Sequence, residues 1–108
     1  MDLINYEHFS KLNIRIGTII EAEKVLNADK LLKLIIDFGD EKRQIISGIA
    51  EWYSPEQLIG KQVPVLINLE PRKFKGLESQ GMILAADEND KAVLMHPEKN
   101  IPNGSEVC

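Results

Sequence analysis

The sequence predicts an all-β fold, an OB-fold: a five-stranded Greek-key barrel with one short helix between strands 3 and 4. Three observations lead to this prediction. Apolar and polar residues alternate over five or six short segments. The clearest helix motif falls between the third and fourth of them, and 108 residues suit a single domain. This order of elements is typical of an OB-fold, although the pattern alone also allows a small sandwich or an SH3-like barrel.

The first three strands follow from alternation and from turn residues. In "KLNIRIGTII", apolar residues occupy every second position at Leu12, Ile14 and Ile16. Gly17 after them predicts a bend or a bulge. In "LLKLIIDFG", one face of a strand carries Leu32, Leu34, Ile36 and Phe38. Gly39 and Asp40 then predict a tight hairpin turn into "KRQIISGIA".

The second half of the chain predicts a short helix and the remaining strands. "SPEQLIG" has Ser54 as an N-cap residue, Pro55 in the first turn and Gly60 as the stop. In "QVPVLINLE" the apolar residues alternate again, so Pro64 is expected to point outward from an edge strand or a bulged strand. "GMILAA" and "AVLMHP" complete the set, and residues 1–108 are expected to form one domain.

Composition limits the classes of function. The N-terminus lacks the basic start and apolar stretch of a secretory signal, and no run approaches the ~18–20 apolar residues of a membrane span. We therefore expect a cytoplasmic protein. Cys108 is the single cysteine, and His8 and His96 lie far apart in the sequence. Neither a metal site nor a catalytic constellation is predicted, so we expect a protein that is not an enzyme and has no cofactor.

Charge is segregated along a chain whose net charge is −4. Between Pro71 and Ala86 there are three basic residues and one acidic residue, whereas from Asp87 to Cys108 there are two basic and five acidic. The net charge by itself argues against nucleic acid. However, salt screens charges beyond about 8–10 Å, so a local basic face on an acidic body can still attract a polyanion.

The basic residues that a small barrel could bring to one side come from three segments. They are Lys30, Lys33, Lys42, Arg43, Arg72, Lys73 and Lys75. Their cations would bind phosphates, while Asn68, Ser79 and Gln80 would hydrogen-bond to sugars, phosphates or base edges. For Lys33 and Lys42 taken singly, an ordinary solvated surface is an equal explanation. The cluster at 72–75, predicted as a loop after the fourth strand, favours binding.

The aromatic residues near these segments allow two interpretations. Phe74, Trp52 and Tyr53 could stack on unpaired bases. The structural interpretation is favoured for all three, with Phe74 pinning its loop to the barrel and Trp52 and Tyr53 covering the core. Core packing is likewise the default role for Met82, which begins an apolar strand.

The segments "ADKL", "SGIA", "NLEPRKFKG" and "SQGMILAA", in this order, resemble the tRNA-binding domain family. That family includes the C-terminal domain of methionyl-tRNA synthetase and free-standing relatives. The resemblance runs from about Leu12 to the end of the chain. It implies an OB-fold that binds tRNA mainly by shape and backbone, and a homodimer when the module stands alone. It assigns RNA contacts to the positions occupied here by Lys30, Asn68, Arg72, Lys73, Ser79 and Met82.

The chain departs from the family's pattern at two places. The family often has Met and Arg where this chain has Phe74 and Lys75, and it commonly has His-Pro where Val25 and Leu26 stand. Lys75 keeps the charge but lacks the planar fork with which Arg binds a phosphate in a bidentate way.

The tail "EKNIPNGSEVC" resembles the extra C-terminal segment of the dimeric, free-standing members. The expected dimer interface consists of Ile4, Tyr6, Phe9, Ile101 and Val107; alternatively, these residues close the barrel ends of a monomer. A short chain that starts at Met1 favours a free-standing protein over a synthetase fragment.

The expected function is a non-catalytic, structure-specific tRNA-binding module, either free-standing or similar to the beta subunit of methionyl-tRNA synthetase. The expected partners are tRNA, a second copy of the chain and the catalytic subunit of that synthetase. One alternative is a related dimeric OB-fold family, an export-related chaperone that binds peptides in an apolar groove between barrels. Another is an assembly factor that docks onto synthetases, which is compatible with tRNA binding.

Overall fold

The computed structural model describes all 108 residues and shows an antiparallel β-barrel of the OB type with two short helices. The elements are α1 (Tyr6–Phe9), β1 (Ile14–Val25), β2 (Ala28–Asp37), β3 (Lys42–Ser47), α2 (Pro55–Leu58), β4 (Gln62–Leu66), β5 (Arg72–Phe74), β6 (Leu77–Ser79), β7 (Met82–Ile83), β8 (Ala85–Glu88), β9 (Lys91–Leu94) and β10 (Glu106–Val107). The predicted fold class is confirmed, and so is the helix between the third and fourth strands.

One six-stranded sheet forms the barrel, in the order β3-β2-β1-β4-β7, with β10 added beside β1. The long strand β1 serves both halves, because its first residues pair with β4 and its last residues pair with β2. The pairs β5–β6 and β8–β9 are separate two-stranded hairpins. The strand β1 therefore joins the two halves of the barrel, and the two hairpins lie outside its main sheet.

Gly17 does not form the predicted bulge. The register of β1 against β2 shifts between Ile19 and Glu21 instead, which bends the strand there. A Cβ atom at Gly17 would lie 2.5 Å from Cγ2 of Ile36 and 2.8 Å from the ring of Phe38. Glycine is required at this position because the core packs directly against the backbone of β1.

The core is one cluster of eleven buried apolar side chains, most of them from the alternating faces of β1, β2, β3 and β4. The members are Ile19, Leu32, Leu34, Ile36, Phe38, Ile45, Ile49, Leu58, Val63, Val65 and Leu94. Each fully buried Leu or Ile side chain contributes about 1.5–3 kcal/mol of transfer free energy. Trp52 and Tyr53 pack against this cluster, and the Tyr53 hydroxyl accepts a hydrogen bond from the backbone N–H of Leu94 at 3.1 Å. Their predicted structural role is confirmed.

The predicted helix and turn both form for local reasons. The side chain of Gln57 accepts a hydrogen bond from the backbone N–H of Ser54 at 2.7 Å, which caps α2 at its N-terminus. Gly60 follows the helix with a positive φ of 87°. Gly39, in the β2–β3 turn, has a φ of 95°, which a glycine adopts without steric cost.

Pro64 is buried, although it lies outside the core cluster that contains both of its neighbours, Val63 and Val65. The part of the prediction that fails is the edge strand. β4 lies between β1 and β7 and is not an edge strand. The ladder with β7 ends at Pro64, whose carbonyl accepts from the N–H of Leu84 while its ring nitrogen has no proton to donate. The C-terminal segment crosses this region, because Gln62 exchanges two hydrogen bonds with the backbone of Ile101.

The basic segment predicted as a loop is in fact the β5–β6 hairpin. Arg72 lies opposite Ser79, and Phe74 lies opposite Leu77. The two-residue turn consists of Lys75 and Gly76, with φ values of 52° and 81°. Positive φ at both central residues defines the type I′ turn, which matches the twist of a β-hairpin. The cations of this segment are therefore held on a defined backbone.

Candidate nucleic-acid interface

Hydrogen bonds that involve side chains attach the β5–β6 hairpin to the edge strand β3. The hydroxyl of Ser79 accepts from the N–H of Ile46 at 3.0 Å and donates to the carbonyl of Gly81 at 3.0 Å. Gln80 bonds to Gln44 twice: its side-chain oxygen accepts from the Gln44 N–H at 3.0 Å, and its own N–H donates to the Gln44 carbonyl at 2.8 Å. These contacts satisfy backbone groups that an open edge strand would leave unpaired. Ser79 is only 3% exposed, so its hydroxyl faces β3 and not solvent.

Arg43 belongs to the same attachment. Its Nη1 donates to the carbonyl oxygens of Ile67 at 2.6 Å and Gln80 at 3.1 Å, and its Nε lies 2.8 Å from Oε1 of Glu41. The hydrogen bond from Arg43, reinforced by its charge, lowers the pKa of the Glu41 carboxyl. The Arg43 side chain is 23% exposed, and its guanidinium is engaged within the protein.

Asn68 ties the N-terminal segment to the end of β4. Its Oδ1 accepts from the backbone N–H of Asn13 at 2.8 Å, and its Nδ2 donates to the carbonyl of Lys11 at 2.6 Å. Four residues predicted to contact RNA, Arg43, Asn68, Ser79 and Gln80, thus hold the protein's own backbone.

The tips of the β1–β2 and β5–β6 hairpins bring four lysines together. Lys75, in the β5–β6 turn, lines two adjoining surface depressions. Lys24 and Lys33 line the first, and Lys30 lines the second. Lys24 was not among the predicted cations, because it stands between Glu23 and Val25 and only the pairing of β1 with β2 places it near the other lysines.

Lys42 does not join this group. It lies opposite Asp37 at the far end of β2, four residue pairs beyond Lys33. At 3.3 Å per residue, that is about 13 Å along the strand. The seven predicted cations therefore do not converge on one groove.

The cations also differ in what they already contact. Nζ of Lys33 lies 2.9 Å from Oε1 of Glu23, and Nζ of Lys30 lies 3.8 Å from Oε1 of Glu51. The third ion pair of the structure is that of Arg43. No carboxylate is therefore paired with the cations of the β5–β6 hairpin, which are Arg72, Lys73 and Lys75.

Phe74 is half-buried and carries an arginine on its face. The guanidinium carbon of Arg72 lies 4.9 Å from the centroid of the Phe74 ring, a cation–π contact between two residues on the same face of the hairpin. Phe74 lies outside the core cluster, so the ring holds Arg72 and does not pin the hairpin to the barrel core. Met82, at the start of β7, is 42% exposed, so core packing does not describe it.

A second exposed surface, apolar in character, lies at the N-terminus. The helix α1 begins after Asn5, whose side-chain oxygen accepts from the N–H of His8. Ile4 and Tyr6 are 68% and 79% exposed, and Phe9 is 38% exposed. The two C-terminal residues predicted for the dimer interface differ from these: Ile101 is half-buried, and Val107 is half-buried in β10 beside β1.

The remaining chemistry of the surface is ordinary. No group of three or more His, Cys, Asp and Glu side chains is arranged to hold a metal ion. None of the helices is long and apolar enough to cross a membrane. The single thiol, Cys108, is exposed at the end of the chain.

Comparison with known proteins gives concordant results. Residues 14–106 match the family model described as "Putative tRNA binding domain". The methionine–tRNA ligase of Archaeoglobus fulgidus is 61% identical over 97% of this chain, which spans 16% of that enzyme's length. The crystal structure of a MetRS-related protein from Pyrococcus horikoshii has a TM-score of 0.95 at 41% identity, with all of both chains covered. The crystal structure of the chaperone CsaA from Bacillus anthracis has a TM-score of 0.91 at 33% identity, covering 99% of this chain and all of that one.

Proposed function

Because the chain belongs to the tRNA-binding domain family, we propose that it captures tRNA through the basic surface formed by the β1–β2 and β5–β6 hairpins. It does so as a binding module without catalytic chemistry of its own. The observation that carries this proposal is the β5–β6 hairpin, where three cations without carboxylate partners stand on a backbone fixed to the barrel. Cations that are already positioned lose less conformational entropy when phosphates bind.

Direct contacts are proposed for the exposed residues of this surface. Arg72 and Lys73 would bind phosphates, Lys30 and Lys75 would extend the contact to the β1–β2 hairpin, and the exposed Met82 would pack on the RNA. Lys33 shares its charge with Glu23, so its contribution is smaller. Lys42 lies too far along β2 to share the same phosphates.

Positioning roles are proposed for the residues whose polar atoms are already bonded. Ser79 and Gln80 hold the hairpin against β3, and Arg43 links both to the end of β4. Asn68 holds the N-terminal segment. Substitution of Ser79, Gln80 or Arg43 would change tRNA binding only by moving the basic hairpin, whereas substitution of Asn68 would release the N-terminal segment.

The salt dependence of tRNA binding tests the site. The double variant Arg72→Ala/Lys73→Ala should bind tRNA more weakly, and the slope of log K against log salt should fall by about 1.4–1.8, equal to two phosphate contacts. Lys91→Ala/Lys99→Ala is the matched control, because it also removes two exposed cations but on the acidic C-terminal half. Equal binding by both double variants would refute the assignment.

We propose that the apolar N-terminal surface, together with Ile101 and Val107, forms the two-fold interface of a homodimer. Ile4, just before the cap of α1, and Tyr6, within α1, form an exposed apolar patch, and such patches often mark an interaction surface. Light scattering should give a mass of about 24 kDa, twice the 12.2 kDa of one chain. Phe9→Glu should reduce the measured mass to that of one chain. A wild-type protein that is monomeric at micromolar concentration would refute the dimer.

The proposed role of the module is to raise the effective concentration of tRNA near a synthetase. The synthetase in question is methionyl-tRNA synthetase, because curated relatives carry this domain as a small part of that enzyme. Added to or fused with the catalytic part, the module should lower KM for tRNA and leave kcat unchanged. An unchanged KM would contradict this role.

Peptide binding is a second candidate, favoured by the likeness to the chaperone CsaA. A peptide site would be apolar, whereas the cations of the β5–β6 hairpin suit a polyanion. Measuring tRNA and an unfolded peptide side by side at two salt concentrations separates the candidates, because phosphate contacts weaken steeply with salt. If the protein binds the peptide tightly and independently of salt but does not bind tRNA, peptide binding is its function.

A further inference from the structure

The depression between the two hairpin tips is lined by both apolar side chains and lysines. Leu26, at the tip of the β1–β2 hairpin, is 86% exposed. Val25 and Leu77 line the depression with it, and so do Lys24 and Lys75. An apolar side chain at the end of a hairpin, surrounded by lysines, has no partner within the barrel.

The turn itself does not require a leucine. Val25 pairs with Ala28, so the turn residues are Leu26 and Asn27. Asn27 takes the positive φ of 62°, a conformation that asparagine tolerates well. Polar residues are usual in such turns. Neither backbone geometry nor core packing therefore explains an apolar residue at this position.

An irregularity in β2 exposes a further cation at the same tip. The register of β1 against β2 shifts between Lys24 and Val25, whose partners are Leu32 and Ala28. Residues 29–31 of β2 therefore have no partner in β1. Lys30 is one of them, and its side chain is 77% exposed. Lys75 borders this second depression too, so it stands between the two halves of the tip surface.

The charge around the tips is opposite to that of the whole chain. The linings of the two depressions contain four lysines and two carboxylates, those of Glu23 and Asp29. Glu23 is paired with Lys33 at 2.9 Å. The excess of positive charge on a chain of net charge −4 suits an anionic ligand, while the apolar part suits a flat, weakly polar group.

We propose that the two hairpin tips bind one unpaired nucleotide of the tRNA. Leu26 and Leu77 pack on the face of its base, and Lys24 and Lys75 bind the phosphates on either side. In a paired helix the faces of the bases are covered by stacking, so an apolar tip gains no contact there; in a loop the base is free to turn outward. This inference rests on the proposed function, and it adds that the tips distinguish looped RNA from duplex.

The test compares tRNA with a blunt-ended RNA duplex. Leu26→Ser should weaken tRNA binding about five-fold with an unchanged salt slope, because it removes apolar contact and no charge. Its affinity for the duplex should stay the same. Val93→Ser is the matched control, since Val93 is 41% exposed and lies on the β8–β9 hairpin, which pairs with neither of the two hairpins that form the tips.

Lys75→Asn provides the complementary measurement. Asparagine tolerates the positive φ of 52° at this position, so the turn is kept while the charge is removed. The salt slope for tRNA should fall by about 0.7–0.9, equal to one phosphate contact. Thermal unfolding of both tip variants should match the wild type, which separates a binding effect from loss of the fold.

The outcomes are distinct. Wild-type affinity of Leu26→Ser for tRNA would overturn the nucleotide site, and so would equal weakening for tRNA and duplex, which would place the tip on the RNA backbone. Weaker binding of an unfolded peptide, with tRNA binding unchanged, would assign the tip to a peptide and overturn the inference. If the wild-type protein fails to bind tRNA at low salt, the proposed function falls together with this inference. A negative result for Leu26→Ser alone leaves the proposed function intact.

Discussion

Ser79→Ala is expected to destabilise the fold by opening the attachment between the β5–β6 hairpin and β3. The Ser79 hydroxyl is buried at 3% exposure and makes two hydrogen bonds, one from the N–H of Ile46 and one to the carbonyl of Gly81, both at 3.0 Å. Alanine fills the space of the Cβ atom but leaves both backbone groups without this partner.

The magnitude follows from the cost of a buried, unsatisfied donor. Leaving the Ile46 N–H unpaired costs about 1–3 kcal/mol. For a domain of this size, a loss of that order lowers the melting temperature by about 5–15 °C. The effect on tRNA binding should be indirect, because the β5–β6 hairpin that carries Arg72 is held less firmly. The affinity should fall only in proportion to the fraction of molecules in which the hairpin is detached.

The free energy of unfolding is measured by urea titration at matched protein concentration, with circular dichroism as the signal. Ser10→Ala is the control, because the Ser10 hydroxyl also donates a hydrogen bond, to the carbonyl of Glu7 at 2.8 Å, but is exposed. Water replaces that bond, so the control should stay within about 0.5 kcal/mol of the wild type. Binding is then compared under conditions in which both variants are fully folded.

Two results would refute this account of Ser79. A midpoint for Ser79→Ala equal to that of Ser10→Ala would show that the hydroxyl does not hold the edge strand. A fully stable Ser79→Ala protein that has lost tRNA affinity would show that the hydroxyl contacts RNA directly, as the family resemblance implies.

The other predictions concern packing, an ion pair and a tether. Gly17→Ala should destabilise the fold by about 1–3 kcal/mol in urea unfolding, because its Cβ atom would lie 2.5 Å from Ile36; wild-type stability would contradict the packing. Arg43 lowers the pKa of the Glu41 carboxyl, so this contact stabilises the fold above the ordinary carboxyl pKa of about 4.3 and is lost as pH falls through the lower folded value. Glu41→Gln should therefore unfold at slightly lower urea than the wild type at about pH 7 and at the same urea at about pH 2; a difference independent of pH would exclude the carboxylate as its source. Asn68→Ala should speed limited proteolysis of the N-terminal segment, followed by mass spectrometry, and equal cleavage rates would show that the amide is not a tether.

The elements that the sequence predicts correctly depend on neighbours in the chain. Alternation placed Leu32, Leu34 and Ile36 on one buried face, because side chains in a strand point to opposite sides in turn. The Ser54 cap and the Gly39 turn act over three or four residues. The family resemblance likewise needs only the order of short motifs along the chain, and it was sufficient to identify the family.

The errors arise where the deciding neighbour is distant in sequence. Gly17 was expected at a bulge, but the side chain of Ile36, from another strand, is what excludes a Cβ atom there. Pro64 was expected in an edge strand or a bulged strand, but β7, almost twenty residues later in the chain, pairs with the free side of β4. Turn residues alone did not distinguish a basic loop from the β5–β6 hairpin.

By itself, the sequence determined the fold class, the family and the presence of a basic segment, because each of these depends on residue types at short spacings. Only the tertiary structure decided which polar residues are free to bind. Ser79 is 33 residues from its partner Ile46, and Asn68 is 57 residues from Lys11. A residue type shows what a side chain is able to donate or accept, whereas folding decides whether the protein's own backbone already occupies it.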